Sequence, residues 1–264
     1  GNTPGNKEVI LRIAFLWPFN KAREIMPNWR DGHRAAIEEL EKIHIVDWFL
    51  GDECNKDFNE YDFVLIWDDG SFGRPRAKRV GLMLTTENTI GPQLNNFDVV
   101  YCESDLIKER VRALGIRAIR AMGTDTDFYN PTNIDRVDRK INRDIEYFYP
   151  ATFSPWKRQS QIAKLGDRLL CVGTIQPDGQ NEYEACKKTG VKIEIGYFPA
   201  TKIRDYYRRC KNVVIPAIHG SERTVLEAMS VNILPIVNME NIKAHSYIEE
   251  YNNSAYNSPR DFVV

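Results

Sequence analysis

Several features that would place a chain quickly are missing from this sequence. Its five cysteines, Cys54, Cys102, Cys171, Cys186 and Cys210, stand singly, with no Cys-x-x-Cys or Cys/His spacing. That argues against a zinc or redox motif and a disulfide scaffold, and makes a reducing cytoplasm the simplest expected setting. There is no long apolar run, because the longest stretch, within 9–19, is interrupted by Arg12, and a bilayer-crossing helix needs ~20 such residues. Neither sign of charge dominates. Thirty-six Lys and Arg meet 37 Asp and Glu, for a formal net charge of −1. Such a chain has no global field with which to hold a polyanion, which argues against nucleic acid as a partner. Internal repeats and low-complexity tracts are also missing. The opening Gly1-Asn2-Thr3-Pro4-Gly5-Asn6 lacks the charged-then-apolar order of a signal peptide and reads as a loose leader.

What is present is a globular mixture of 264 residues, 42% hydrophobic and 28% charged, enough for two compact units or one large α/β domain. Short runs of branched and aromatic residues alternate with amphipathic stretches, the pattern of parallel strands joined by crossover helices. Strands are expected over 10–16, 45–49, 63–67, 80–84, 99–102 and 118–122, with helices over 29–43 and 104–114. The polar, charged stretch 128–144 reads as a linker. Alternation then resumes, with strands at 145–149, 169–172, 192–195, 213–215 and 234–237 and helices at 157–164, 182–189, 201–209 and 222–230. A further helix start is expected at Ser258-Pro259. The fold class is therefore α/β, with two Rossmann-like, doubly wound parallel-sheet domains at 1–127 and 145–264 facing across a cleft. In such pairs the ligand is expected outside the carboxyl ends of the strands.

The most informative segment runs from Val213 to Ser230. A buried strand enters a small polar loop ending His219-Gly220-Ser221, and a helix follows with Glu222, Arg223, Thr224 and Val225 in its first turn. Free amides at a helix start suit a phosphate. Gly220 permits close backbone approach, Ser221 is expected to cap the helix, and Glu227 can accept two hydroxyls of a ribose. Each reading has a plainer rival. Glu222 in the first turn can simply complement the helix dipole, and His219 can bind a loop carbonyl.

This segment, followed by Asn232-Ile233-Leu234-Pro235-Ile236-Val237, resembles the nucleotide-sugar site of the retaining GT-B-fold glycosyltransferases of the group 1 or family 4 type. Glu227 matches the second of the family's two motif glutamates, the one that binds the donor ribose. His219 stands where the family has the first. Phe153-Ser154-Pro155-Trp156-Lys157-Arg158 resembles the diphosphate loop, with Lys157 matching its lysine. Ala151 occupies the place of the family's arginine, leaving Arg158 or Arg223 to supply a second positive charge. Gly123-Thr124-Asp125-Thr126-Asp127-Phe128-Tyr129-Asn130-Pro131 resembles the turn that ends the family's first domain. The family's glycine-rich loop after the first strand is replaced by Trp17-Pro18-Phe19-Asn20, and its middle-loop histidine by Leu84-Thr85-Thr86-Glu87-Asn88.

The resemblance implies metal-independent transfer of a sugar, with retention, from a UDP- or GDP-sugar to a saccharide, lipid-linked or other small acceptor. No cofactor is implied. Lys157, His219 and Glu227 become the candidate catalytic residues. Arg158, Gly220, Ser221, Glu222, Arg223, Thr224 and Val225 join Glu227 as donor-binding candidates, and Phe19, Asn20, Glu87 and Asn88 are candidates on the acceptor side. Two other readings remain open: a GT-B-like sugar-nucleotide epimerase or hydrolase, and a non-catalytic nucleotide-sugar-binding module. Asp68-Asp69-Gly70 reads as a turn after a strand. Arg74, Arg76, Lys78 and Arg79 read as a solvated loop that could also touch an anionic acceptor or a membrane surface.

Overall fold

Two all-parallel sheets organise the chain, in a computed structural model that describes residues 9–28, 30, 32–84, 88–121, 123–129 and 142–260. Glu87 and the 130–141 part of the expected linker lie outside those residues, as do Trp29 and Met122, end residues of an expected helix and strand. The chain divides into two compact units, Gly1–Met26 with His33–Met122, and Pro27–Gly32 with Gly123–Val264.

The first unit carries β1 (Arg12–Trp17), α1 (Ala22–Ile25), α2 (Gly32–Glu41), β2 (Ile45–Leu50), β3 (Phe63–Asp68), β4 (Val80–Leu84), β5 (Val99–Cys102), α3 (Asp105–Arg112) and β6 (Ala118–Arg120). Its strand order is β2-β1-β3-β4-β5-β6. Central strands read as continuous apolar runs because both faces are covered, and all five residues of β4 are buried. The edge strand β2 is only partly buried. Side chains from neighbouring strands, among them Ala14, Leu16, Val64, Ile66, Leu82 and Val100, form one core with Ile107 and Val111 of α3. Burying each larger aliphatic side chain contributes about 1.5–3 kcal/mol before entropy is counted. Ser104 caps α3 by accepting the Ile107 N–H at 3.3 Å.

The second unit carries α4 (Thr126–Tyr129), β7 (Ile145–Pro150), α5 (Gln159–Ile162), β8 (Leu169–Gly173), α6 (Gln180–Lys188), β9 (Lys192–Ile195), α7 (Ala200–Arg209), β10 (Cys210–Ile215), α8 (Glu222–Ser230), β11 (Ile236–Val237) and α9 (Ile242–Asn252). Strand order here is β11-β10-β7-β8-β9. One expectation needs correction. The helix expected at 157–164 is a single turn followed by 3₁₀ turns over Ala163–Arg168, where Gly166 leaves helical geometry. Tyr129, at the end of α4, is buried. The helix α9 had no counterpart in the sequence reading. Beyond 260, the helix expected from Ser258 lies outside the described residues.

In this unit Arg30 and Gly32 meet the turn at 123–128. Arg30 pairs with Asp125 and lies over the Phe128 ring at 5.7 Å. Asp125 also accepts the Phe128 N–H at 2.9 Å.

The loop after β7 is held by backbone contact. Phe153 N–H donates to Thr174 C=O (2.7 Å), and Gln176 N–H donates to Phe153 C=O (3.0 Å). Gly179 packs so tightly on the Phe153 carbonyl that a Cβ there would overlap backbone. Gly179→Ala is therefore expected to cost about 2–3 kcal/mol by forced backbone displacement. Urea denaturation with an unchanged midpoint would show that this contact has slack.

Candidate functional site

In open parallel sheets the natural crevice lies where the strand order reverses, outside the carboxyl ends of the two flanking strands. In the second unit that place is between β7 and β10, and the loops leaving them are 151–158 and 216–221. They are tied together by Ile218 N–H donating to Trp156 C=O at 3.0 Å. Lys157 Nζ donates to Ser221 Oγ at 2.7 Å. The Tyr149 hydroxyl sits 3.4 Å from both Ser221 Oγ and the Lys157 carbonyl. Gly220 has φ +72°, and a Cβ at this position would stand 2.8 Å from Lys157 Nζ. Glycine thus serves two purposes here: it takes the left-handed backbone and leaves room for the ammonium. Asn241 holds the turn from below, donating from Nδ2 to Gly220 C=O at 2.8 Å.

Ser221 does not cap α8. Its φ of +71° is left-handed rather than extended, and its side chain makes no capping bond. Its hydroxyl goes to Lys157 instead. The first intrahelical bond of α8 runs from Val225 N–H to Ser221 C=O at 3.2 Å, so the amides of the turn before it point toward the loop end. Burial pushes the Lys157 amine down to about 8; Glu222 opposes this, while Arg223 and Lys243 push in the same direction as burial. Of these cations Lys243 is ion-paired with Glu222 and Arg223 with Glu227, which leaves the Lys157 ammonium, on the Ser221 hydroxyl, as the charge presented at the helix start.

The other candidates are placed as follows. His219 is exposed and stacks on Trp156, ring centroids 5.9 Å apart and planes within 10°. Glu222 is buried and ion-paired with the equally buried Lys243 at 3.0 Å. Thr224 and Val225 are buried in the unit. Arg158 bonds Glu240 at 2.6 Å. Arg223 is half exposed and pairs with Glu227 at 3.2 Å.

Glu227 lies within the packed second unit. It is 3% exposed. Oε1 accepts the Tyr129 hydroxyl and Oε2 the Tyr207 hydroxyl, each at 2.9 Å. Burial and the neighbouring carboxylate raise the Tyr207 pKa well above its ordinary value. In this arrangement each carboxylate oxygen accepts one phenol hydroxyl. Helical spacing alone could not reveal this, because Tyr129 arrives from 98 residues away. Lys243, Asn241 and Tyr149 were likewise missed. The pair Asn241-Ile242 does carry a helix-start signal, realised as Asn241 Oδ1 accepting the Ala244 N–H at 3.1 Å.

The first unit reverses its strand order between β1 and β3. A cavity of about 450 Å³ lies beyond the ends of those strands, and both Phe19 and Asn20 line it. Asn88 is exposed and is not part of that lining. Trp67, in β3, is half-buried and also lines the cavity. In the basic loop, Arg74 pairs with Asp98 at 3.0 Å.

No protein-family model matches the chain, and no curated protein matches it. Solved structures do. A glycosyltransferase from Rickettsia africae is similar at 13% identity, with 96% of this chain and 91% of that one covered and a TM-score of 0.54. S. aureus MnaA, solved with UDP, is similar at 10% identity, with 96% and 86% covered and a TM-score of 0.56. The DNA-modifying enzyme β-glucosyltransferase, solved with and without uridine diphosphoglucose, is similar at 13% identity, with 96% and 87% covered and a TM-score of 0.54. The fold is GT-B-like. At these identities the likeness speaks for architecture alone, and one architecture hosts several activities. Among the described residues, no group of three or more His, Cys, Asp or Glu gathers as a metal site, and no helix is long and apolar enough to cross a membrane. All five cysteines are free thiols and buried.

Proposed function

We propose that the chain is an enzyme acting on a nucleotide-diphosphate sugar, whose diphosphate lies between the Lys157 loop and the start of α8. The sugar passes to an acceptor with retention of configuration. The observation that carries this reading is the Lys157 ammonium seated on Ser221 against Gly220 at the strand-order reversal of the second sheet. In that position it meets the negative charge that grows on a departing nucleoside diphosphate, and the first-turn amides of α8 add their dipoles. His219, exposed on Trp156 at the loop tip, is positioned to meet the sugar or its phosphate. Glu227 enters this scheme as the buried anchor of α8.

The test is calorimetric titration with UDP, GDP and their sugars across pH. Lys157 is charged below about 8 and neutral above it. UDP affinity is expected to hold up to that pH and then fall, approaching tenfold per unit once a proton must be taken up for binding. A bound diphosphate raises the amine's pKa, so the fall begins near 8 and continues until the pH reaches that raised value. A flat profile through pH 9.5 would remove Lys157 from the site. The same group has the opposite sign for apo stability: between about 8 and the ordinary 10.5 the unfolded chain holds a proton that the folded chain has lost, so this term favours folding as pH rises.

His219 also favours a second reading, a GT-B-like epimerase or hydrolase, because an exposed imidazole beside the proposed sugar position can move protons. Free sugar or an epimerised donor appearing without any acceptor would select it.

A further inference from the structure

The cavity beyond β1 and β3 has a chemistry unlike that of the site in the second unit. Its walls combine aromatic rings with carboxylates, and both charged side chains among its described lining residues, Asp68 and Asp69, are acidic. Trp17 and Trp67 meet at 4.5 Å between centroids, and Phe19 lies nearly parallel to Trp17 at 6.3 Å and 24°. Phe19 is 49% exposed although apolar, leaving an aromatic face open at the rim. Asp68 Oδ2 accepts Gly70 N–H (2.8 Å) and Phe72 N–H (3.0 Å), and Asp69 Oδ1 accepts Ser71 N–H (2.8 Å). Backbone amides therefore orient both carboxylates, and neither is in an ion pair among the described residues. The volume of about 450 Å³ lies within the range of small-molecule pockets.

We propose that this cavity binds a non-anionic sugar ring, with an amine-bearing ring preferred. The C–H faces of a pyranose suit an aromatic wall, its hydroxyls suit carboxylate acceptors, and an ammonium substituent adds charge. A phosphorylated or lipid-diphosphate ligand would bring like charge against two fixed carboxylates and is rejected. Naming the ring as the acceptor rests on the proposed transferase reading; the recognition chemistry does not.

The experiment titrates the full chain with glucosamine, glucose and glucose 6-phosphate, following tryptophan fluorescence, since Trp17 and Trp67 line the cavity. Binding is expected in the order glucosamine, glucose, glucose 6-phosphate, with glucosamine favoured over glucose about fivefold. Asp69→Asn keeps an oxygen for the Ser71 amide and is expected to erase that fivefold preference while glucose binding persists. Phe19→Ala, at an exposed position, is expected to weaken both sugars about fivefold. The proposal is overturned if glucose 6-phosphate binds as well as glucosamine, if no sugar alters the fluorescence, or if Asp69→Asn leaves the preference intact. UDP calorimetry on the same sample separates the two readings. UDP binding with no sugar response overturns this inference alone, and a sugar response without UDP binding overturns the donor site alone.

Discussion

Lys157→Ala is expected to abolish detectable transfer, with turnover falling about 10²–10³-fold and the fold left intact. The amine is half-buried and its charge already carries a desolvation penalty, seen as a pKa lowered to about 8. Removing it takes a strained charge out of the resting protein, so stability should hold or rise slightly near neutral pH. The loss falls on the state in which a diphosphate carries its full charge. UDP affinity is expected to drop about 10- to 100-fold, in line with a charge-assisted contact made in a partly dry site. Release of nucleoside diphosphate measured beside a urea midpoint separates these effects. Unchanged UDP affinity in a folded variant would sink the donor site, because Ser221 and Gly220 would then be arranged around a lysine that does nothing for the ligand.

Glu227→Ala should act in the opposite manner, first on the fold. The substitution removes the acceptor of two buried phenolic hydroxyls and the partner of Arg223. Leaving such groups unsatisfied in a cavity is expected to cost about 3–5 kcal/mol. Glu227→Gln preserves volume but offers one acceptor oxygen instead of two, and about 1–2 kcal/mol is expected. Thermal and urea unfolding measure both. The glutamine variant also decides the carboxylate's second possible role. If Glu227 only anchors α8, UDP affinity at a temperature where the variant is folded stays within about twofold of the parent; a tenfold loss would mean the carboxylate turns to a ribose when donor binds.

The two predictions mark the division between what was readable in the residues and what was not. The order of strands and helices was readable because burial on both faces leaves continuous apolar runs, such as Val80–Leu84, and amphipathic helices leave a periodic one. The loop ending in Gly220 and Ser221 was readable for a related reason: a buried strand, a glycine and a helix start follow one another within a few residues. Lys157 was legible only through its motif, because no local pattern reports that the chain at 157 returns to the chain at 221.

By itself, the sequence determined the alternating α/β architecture, the two parallel sheets and the position of a helix start suited to an anion. These follow from periodicity, side-chain volume and backbone freedom, all of which act between near neighbours. The tertiary structure alone decided that Ser221 serves Lys157 rather than its own helix, that Glu227 lies beneath Tyr129 and Tyr207, and that Lys243 neutralises Glu222. It likewise decided that two tryptophans, a phenylalanine and two aspartates share one cavity. Each of these is a meeting of side chains from distant segments, and strand order and crossover packing choose such partners after every local preference has been met.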